Sequence, residues 1–164
     1  MAVLGWNEQT QDGSFTGNFT SEAEGQAMTR TFIGEGADII FPVAGNAGLG
    51  TATAVKDADA AGGDRVTMMW ADTDGCFSVP RYCRYFLTSV TKGIQAAVKT
   101  AILSAARGTF RGGTYVGDLA NGGVALAPYH DFAGRVPAAL TAELAKIRAE
   151  IENGTIKPAT KNPV

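Results

Sequence analysis

The sequence predicts an α/β fold: a parallel sheet flanked by helices. Three observations carry this. An apolar run over 38–43, Asp-Ile-Ile-Phe-Pro-Val, leads into a glycine loop that opens a helix. A second apolar run, over 66–71, ends on Asp72. Strand-like and helix-like runs then alternate through most of the first two-thirds of the chain, which is the order of βαβ units.

The elements follow in chain order. Residues 3–6 read as a short strand, and 9–20 as a polar, glycine-containing loop. Thr20 or Ser21 can cap a helix running to about Ile33, with Glu22 and Glu24 in its first turn, where the helix dipole favours acids. Gly34 and Gly36 end it. The run over 38–43 suits a strand buried on both faces. A loop over 45–50 precedes a helix reaching about Ala60. A turn over 62–64 leads to the strand over 66–71. Residues 72–84 read as a loop, and 85–87 as extended. A helix is expected over 89–107, because Ile94, Ala97, Val98, Ala101, Ile102 and Ala105 fall at helical spacing. Segments 114–119 and 123–127 read as a β-hairpin. Pro137 suits the first turn of a helix reaching Glu152, ended by Asn153 and Gly154. The tail from Lys157 is expected to fray.

Composition narrows the function. In 164 residues, 45% are hydrophobic, enough for a real core, and the net charge is -2. That balance gives no electrostatic footprint for nucleic acid. No apolar stretch approaches the roughly 20 residues of a membrane-spanning helix. The first residues show no charged region followed by an apolar one, so no export signal is expected within this sequence. Met1 stands directly before a strand-like run, which hints at truncation.

Cys76 and Cys83 flank Pro80, a turn residue that can bring them together, so a local disulfide is expected, with an oxidising compartment. The alternative is two free thiols. Two thiols and one sequence-distant His130 do not make a zinc site, and no metal is expected.

Three motifs carry chemistry. Gly45, Gly48 and Gly50 can let a ligand approach the N–H groups of a helix start. Their spacing is GxxGxG rather than the dinucleotide GxGxxG, and a plain strand-to-helix turn explains them too. Asp72 directly follows a strand, where its carboxylate could hold a vicinal diol such as a ribose. Asp74 beside it could share a cation or a proton, and a solvated turn is the plainer reading of both. Ser89 and Lys92 match the SxxK spacing of serine acylases, but no companion motif is present and a helix cap explains the serine equally. Phe15 and Phe19 lie in a polar loop, where an aromatic can stack on a flat ligand or fold back on the core.

Several segments together resemble the C-terminal half of the BMP (basic membrane lipoprotein) family, the substrate-binding proteins of ABC transporters similar to purine-nucleoside receptors. They are Asn18-Phe19 with Gly25; GADIIF over 36–41; AGNAGLG over 44–50; WADTD over 70–74; LTSVTK over 87–92; and Val136-Pro137 with ENGTI over 152–156. The resemblance implies a periplasmic-binding-protein-like (type I) fold with an incomplete second lobe. It would divide into an α/β lobe over 1–88 and a crossover helix, hairpin and C-terminal helix over 89–164. It also implies that Asp72 and Lys92 bind ribose hydroxyls, that Gly45 lines the cleft and that Phe19 contacts the ligand. The expected activity is extracytoplasmic capture of a nucleoside-like ligand for an ABC permease. No cofactor or catalysis is implied, and membrane attachment would come only through a lipid anchor absent from this sequence. The alternative is a nucleotide- or dinucleotide-binding enzyme domain using the 45–50 loop. This sequence departs from the family pattern at Gly75-Cys76, and its loops before Asp72 and before Lys92 are longer.

Overall fold

The computed structural model describes residues 3–7, 9–62 and 66–158. The chain divides into two units. One joins Met1–Val90 to Ala127–Phe132, and the other joins Thr91–Leu126 to Ala133–Val164.

In the first unit, β1 (Trp6–Asn7) pairs antiparallel with β2 (Asp12–Gly13). The expected loop over 9–20 therefore contains a strand. Its cause is local: Asn7 Oδ1 accepts the N–H groups of Gln9 and Thr10, turning the chain back on itself. Helix α1 (Glu22–Gly34) is capped by Ser21, whose hydroxyl accepts the Glu24 N–H at 3.3 Å. Gly36, at φ 92°, takes the left-handed turn beyond its end.

Strand β3 (Ile39–Ile40) runs parallel to β4 (Thr67–Asp72), with Ile39 opposite Thr67 and Ile40 opposite Met68. It is shorter than the run over 38–43. Pro42 has no N–H to extend the ladder. It is also not buried on both faces: Ile40 is buried, while Ile39, Phe41 and Val43 are exposed at the sheet edge.

Helix α2 (Ala47–Ala60) begins inside the expected glycine loop. Its glycines are packing residues. A Cβ on Gly50 would lie 1.8 Å from the Glu22 carbonyl oxygen, and one on Gly25 would lie 2.0 Å from the Ala47 oxygen. Backbone thus meets backbone where α1 crosses α2. A buried hydrogen bond from the Thr29 to the Thr51 hydroxyl (2.9 Å) and an Arg30–Asp57 ion pair (3.0 Å) complete the contact.

The core lies between α2, β4 and the following turn: Ile40, Ala52, Val55, Val66, Met68, Tyr82, Tyr85 and Phe86. Met68 and Phe86 are 0% and 1% exposed, and burial of such side chains contributes about 1.5–3 kcal/mol each. The expected loop over 72–84 instead holds a short helix, α3 (Gly75–Ser78), and a 3-10 helix, Pro80–Tyr85. Cys76 and Cys83 join them by a disulfide.

Strand β5 (Phe86–Lys92) runs from the first unit into the second. The helix expected from residue 89 therefore starts later. Thr88, Val90 and Thr91 are β-branched and favour the pleated strand. The Thr88 hydroxyl donates to the Ala127 carbonyl at 2.7 Å, and the Ala127 N–H donates to the Ser89 carbonyl at 2.8 Å. Ser89 is buried, and its hydroxyl accepts the Gly75 N–H at 3.0 Å. Ser89 and Lys92 share no helical face, which removes both the SxxK reading and the helix-cap reading.

In the second unit, the end of β5 meets β6 (Val124–Leu126), with the Thr91 hydroxyl donating to the Ala125 carbonyl at 3.2 Å. Segment 114–119 forms no strand, so the expected hairpin is absent. Asp118 and Asn121 instead exchange side-chain-to-backbone hydrogen bonds at 2.8 and 2.9 Å, closing a polar turn. Gly117 and Gly123 pack with no room for a Cβ on Gly123. Helices α4 (Ile94–Ala106) and α5 (Ala138–Glu152) complete the unit, and Gly154 at φ 78° follows α5. The turn over 62–64, apart from Gly62, and the tail beyond residue 158 lie outside the described residues.

Candidate functional site at the strand ends

Two strand ends of the first unit converge. After β3, Pro42 and Gly45 lead into α2, and Gly45 turns the chain at φ 52°. At the end of β4, Asp72 adopts φ 71°. A non-glycine residue in this left-handed region is uncommon, and such outliers cluster at functional sites. Asp72, Ala71, Trp70, Gly45 and Pro42 line a recess of about 20 Å³. That volume accepts about one water, whereas ligand pockets usually span roughly 300–1,000 Å³. The recess is therefore a wall rather than an enclosed pocket.

Phe19 stands beside it. The Asn18 side-chain oxygen accepts the N–H groups of Thr20 and Ser21 at 3.0 and 2.7 Å, and its amide contacts Glu24. This fixes the turn and leaves the Phe19 ring 70% exposed. The Phe19 carbonyl accepts the Ala47 N–H at 3.1 Å and lies 3.1 Å from where a Gly45 Cβ would sit. Phe19, Gly45 and Asp72 are thus gathered on the first unit. Lys92 ends β5 in the second unit, is exposed, and precedes Gly93 at the start of α4.

The same geometry removes the phosphate-loop reading of the glycines. Gly48 and Gly50 are helical. The absent Cβ of Gly48 makes room for the Trp70 ring, and that of Gly50 for α1. The first N–H groups of α2 are also engaged, Ala47 with Phe19 and Ala44, Gly48 with Gly45, and Leu49 with Asn46. A phosphate would have to displace these bonds.

A larger open cleft of about 400 Å³ is lined by Lys56, Arg81, Tyr82, Arg84 and Tyr85 and shares no residue with the recess. Arg81 and Arg84 lie over the Tyr82 and Tyr85 rings, and Arg84 pairs with Asp59 at 3.6 Å. These contacts account for both arginines as surface packing.

His130 is not isolated. Its Nε2 lies 2.8 Å from Asp74 Oδ2, while Asp74 Oδ1 accepts the Cys76 N–H and caps α3. The expectation that His130 is distant from the cysteines holds along the chain but not in space.

The profile of the Bmp family, described as ABC transporter substrate-binding protein PnrA-like, matches residues 12–162. The chain belongs to the Bmp family. Solved structures share its periplasmic-binding-protein-like α/β fold. An ABC transporter solute-binding protein from Aeropyrum pernix K1 is 23% identical with a TM-score of 0.74, over 92% of this chain and 48% of that one. A second, from Conexibacter woesei DSM 14684, is 19% identical with a TM-score of 0.68, over 89% and 45%. A transcriptional activator of the comK gene from Bacillus halodurans is 15% identical with a TM-score of 0.72, over 87% and 46%. At these identities the likeness is one of fold. The chain spans about half the length of each. No curated protein matches it.

Sequence reasoning missed Trp70 and Pro42 in the wall of this Bmp-family chain. The signal for Trp70 was present: in β4, Met68, Trp70 and Asp72 share one face by the period of two.

Proposed function

We propose that this chain forms part of an extracytoplasmic substrate-binding component of an ABC importer, and that its ligand is nucleoside-like. The observation that supports this most is Asp72. A carboxylate is held at φ 71° at a strand end and lines one recess with Gly45, which packs against the backbone of the exposed Phe19. An ionised carboxylate accepts two hydroxyl donors in one plane, which suits the vicinal diol of a ribose. Phe19 would cover the base, and Gly45 would let the sugar approach the backbone. Lys92 is assigned to the ligand from its LTSVTK motif, as a donor to a sugar oxygen. No bond is made or broken, so neither cofactor nor nucleophile is needed. The partner would be an ABC permease. The Cys76–Cys83 disulfide fits an oxidising compartment, and a lipid anchor would hold the protein at the membrane.

The test is calorimetric titration of the complete gene product with adenosine, guanosine, uridine, free ribose, ATP and NAD. Nucleosides are expected to bind, and Asp72→Ala to weaken them by about 1.5–3 kcal/mol, roughly ten- to a hundredfold. Binding of ATP or NAD with no response to nucleosides would overturn the proposal in favour of a nucleotide-binding enzyme domain.

A further inference from the structure

We propose that Asp74, Cys76, Cys83 and His130 form a binding site for a zinc-type divalent cation when the disulfide is reduced. One ligand atom from each of Asp74, Cys76 and His130 already lies within 4.8 Å of the other two. Tetrahedral zinc with sulfur, nitrogen and oxygen ligands needs separations of roughly 3.3–3.8 Å, the largest between the two sulfurs. Reaching that geometry takes a parting of the two sulfurs once their bond is reduced and a slight opening of the 2.8 Å His130–Asp74 contact.

The four side chains come from independent features. Asp74 is fixed as the cap of α3, with Oδ1 spent on the Cys76 N–H and Oδ2 left toward His130. Cys76 sits in the first turn of α3, and Cys83 in the 3-10 helix behind it. His130 arrives from the far end of the sequence, at φ 44°, in the 3-10 turn His130–Phe132. The buried Phe132 anchors that turn, and the Phe77 ring meets the imidazole edge-on at 5.7 Å. Two thiolates, one imidazole and one carboxylate complete a four-ligand set of the kind zinc accepts.

The oxidised protein withholds this set, because both sulfurs are bonded to each other. A dithiol reductant supplies two electrons and two protons, and leaves as its own disulfide while Cys76 and Cys83 become thiols. The cation then binds both sulfurs as thiolates, and their two protons pass to water. The imidazole ligates through Nε2 and keeps its proton on Nδ1. Cation binding and the disulfide thus exclude each other.

The experiment titrates cobalt(II), and then zinc, into the full chain after anaerobic reduction with a phosphine, with the oxidised chain alongside. The reduced chain is expected to take one equivalent, with a thiolate-to-cobalt charge-transfer band and the visible bands of tetrahedral cobalt, both abolished by zinc. Asp74→Asn, which keeps an oxygen to cap α3, and His130→Ala should each weaken binding by about tenfold or more. No variant is needed for a second measurement: zinc should slow iodoacetamide alkylation of Cys76 and Cys83 in the reduced chain. Absence of the bands, affinity in either variant unchanged from that of the unsubstituted chain, equal bands in the oxidised chain, or alkylation indifferent to zinc would each overturn the proposal.

Discussion

The two units of this chain organise their apolar residues in opposite ways. In the first, Val55, Met68 and Phe86 are buried against one another, and α1 and α2 touch backbone to backbone. In the second, Gly123 is the only buried residue among those described. Ile94, Val98 and Ile102 line one stripe of α4 at intervals of four, yet they are 50–62% exposed. What holds the second unit is polar and backbone-made: the Asp118–Asn121 exchange, the close Gly117–Gly123 contact, a Gly93-to-Gly123 hydrogen bond of 2.8 Å, and Arg148, which pairs with Glu152 and donates to the Leu119 carbonyl. Helical periodicity tells which face of a helix is apolar. It does not tell what covers that face.

Substitutions sharpen the contrast. The largest effect is expected for Phe86→Ala, which should cost about 3–5 kcal/mol in urea denaturation through the cavity it leaves. Gly50→Ala should come next, at roughly 1–3 kcal/mol, because its methyl would collide with the Glu22 carbonyl. Gly34→Ala, whose Cβ meets nothing within 4 Å, is its control and should be neutral or slightly stabilising. Ser21→Ala removes the α1 cap and should cost about 1 kcal/mol. Val98→Ala on the exposed α4 stripe should stay within about 0.5 kcal/mol. A Val98→Ala cost near that of Phe86→Ala would break the comparison, since it would mean that the stripe is covered in solution.

The legible part of this fold was the part governed by local signals. Ser21, the first-turn acids and the Gly154 stop specify their helix ends within a few residues of sequence. The run before Asp72 specified a strand to within a residue. Two kinds of information were not local. The strand character of 88–92 depends on the Ala127 backbone, dozens of residues away, which captures Thr88 and Ser89. The role of Gly48 and Gly50 depends on the Trp70 ring and on α1, so their one-dimensional pattern looked like a phosphate loop. The candidate site was legible as residue types at strand ends, Asp72 above all. The wall residue Trp70 and the meeting of His130 with Asp74 required the fold.

Asp72 also restricts which sequences can occupy its position. At φ 71°, glycine, asparagine and aspartate are the residues that sit with least strain, while valine, isoleucine and threonine are the worst placed. Of the tolerated three, aspartate alone carries a charge. Glutamate, the usual conservative exchange for an anion, brings an extra methylene and lacks the short side chain that bonds its own backbone. The backbone at this strand end therefore leaves a single comfortable way to present a carboxylate. Asn and Gly, the other residues that sit easily here, are both neutral.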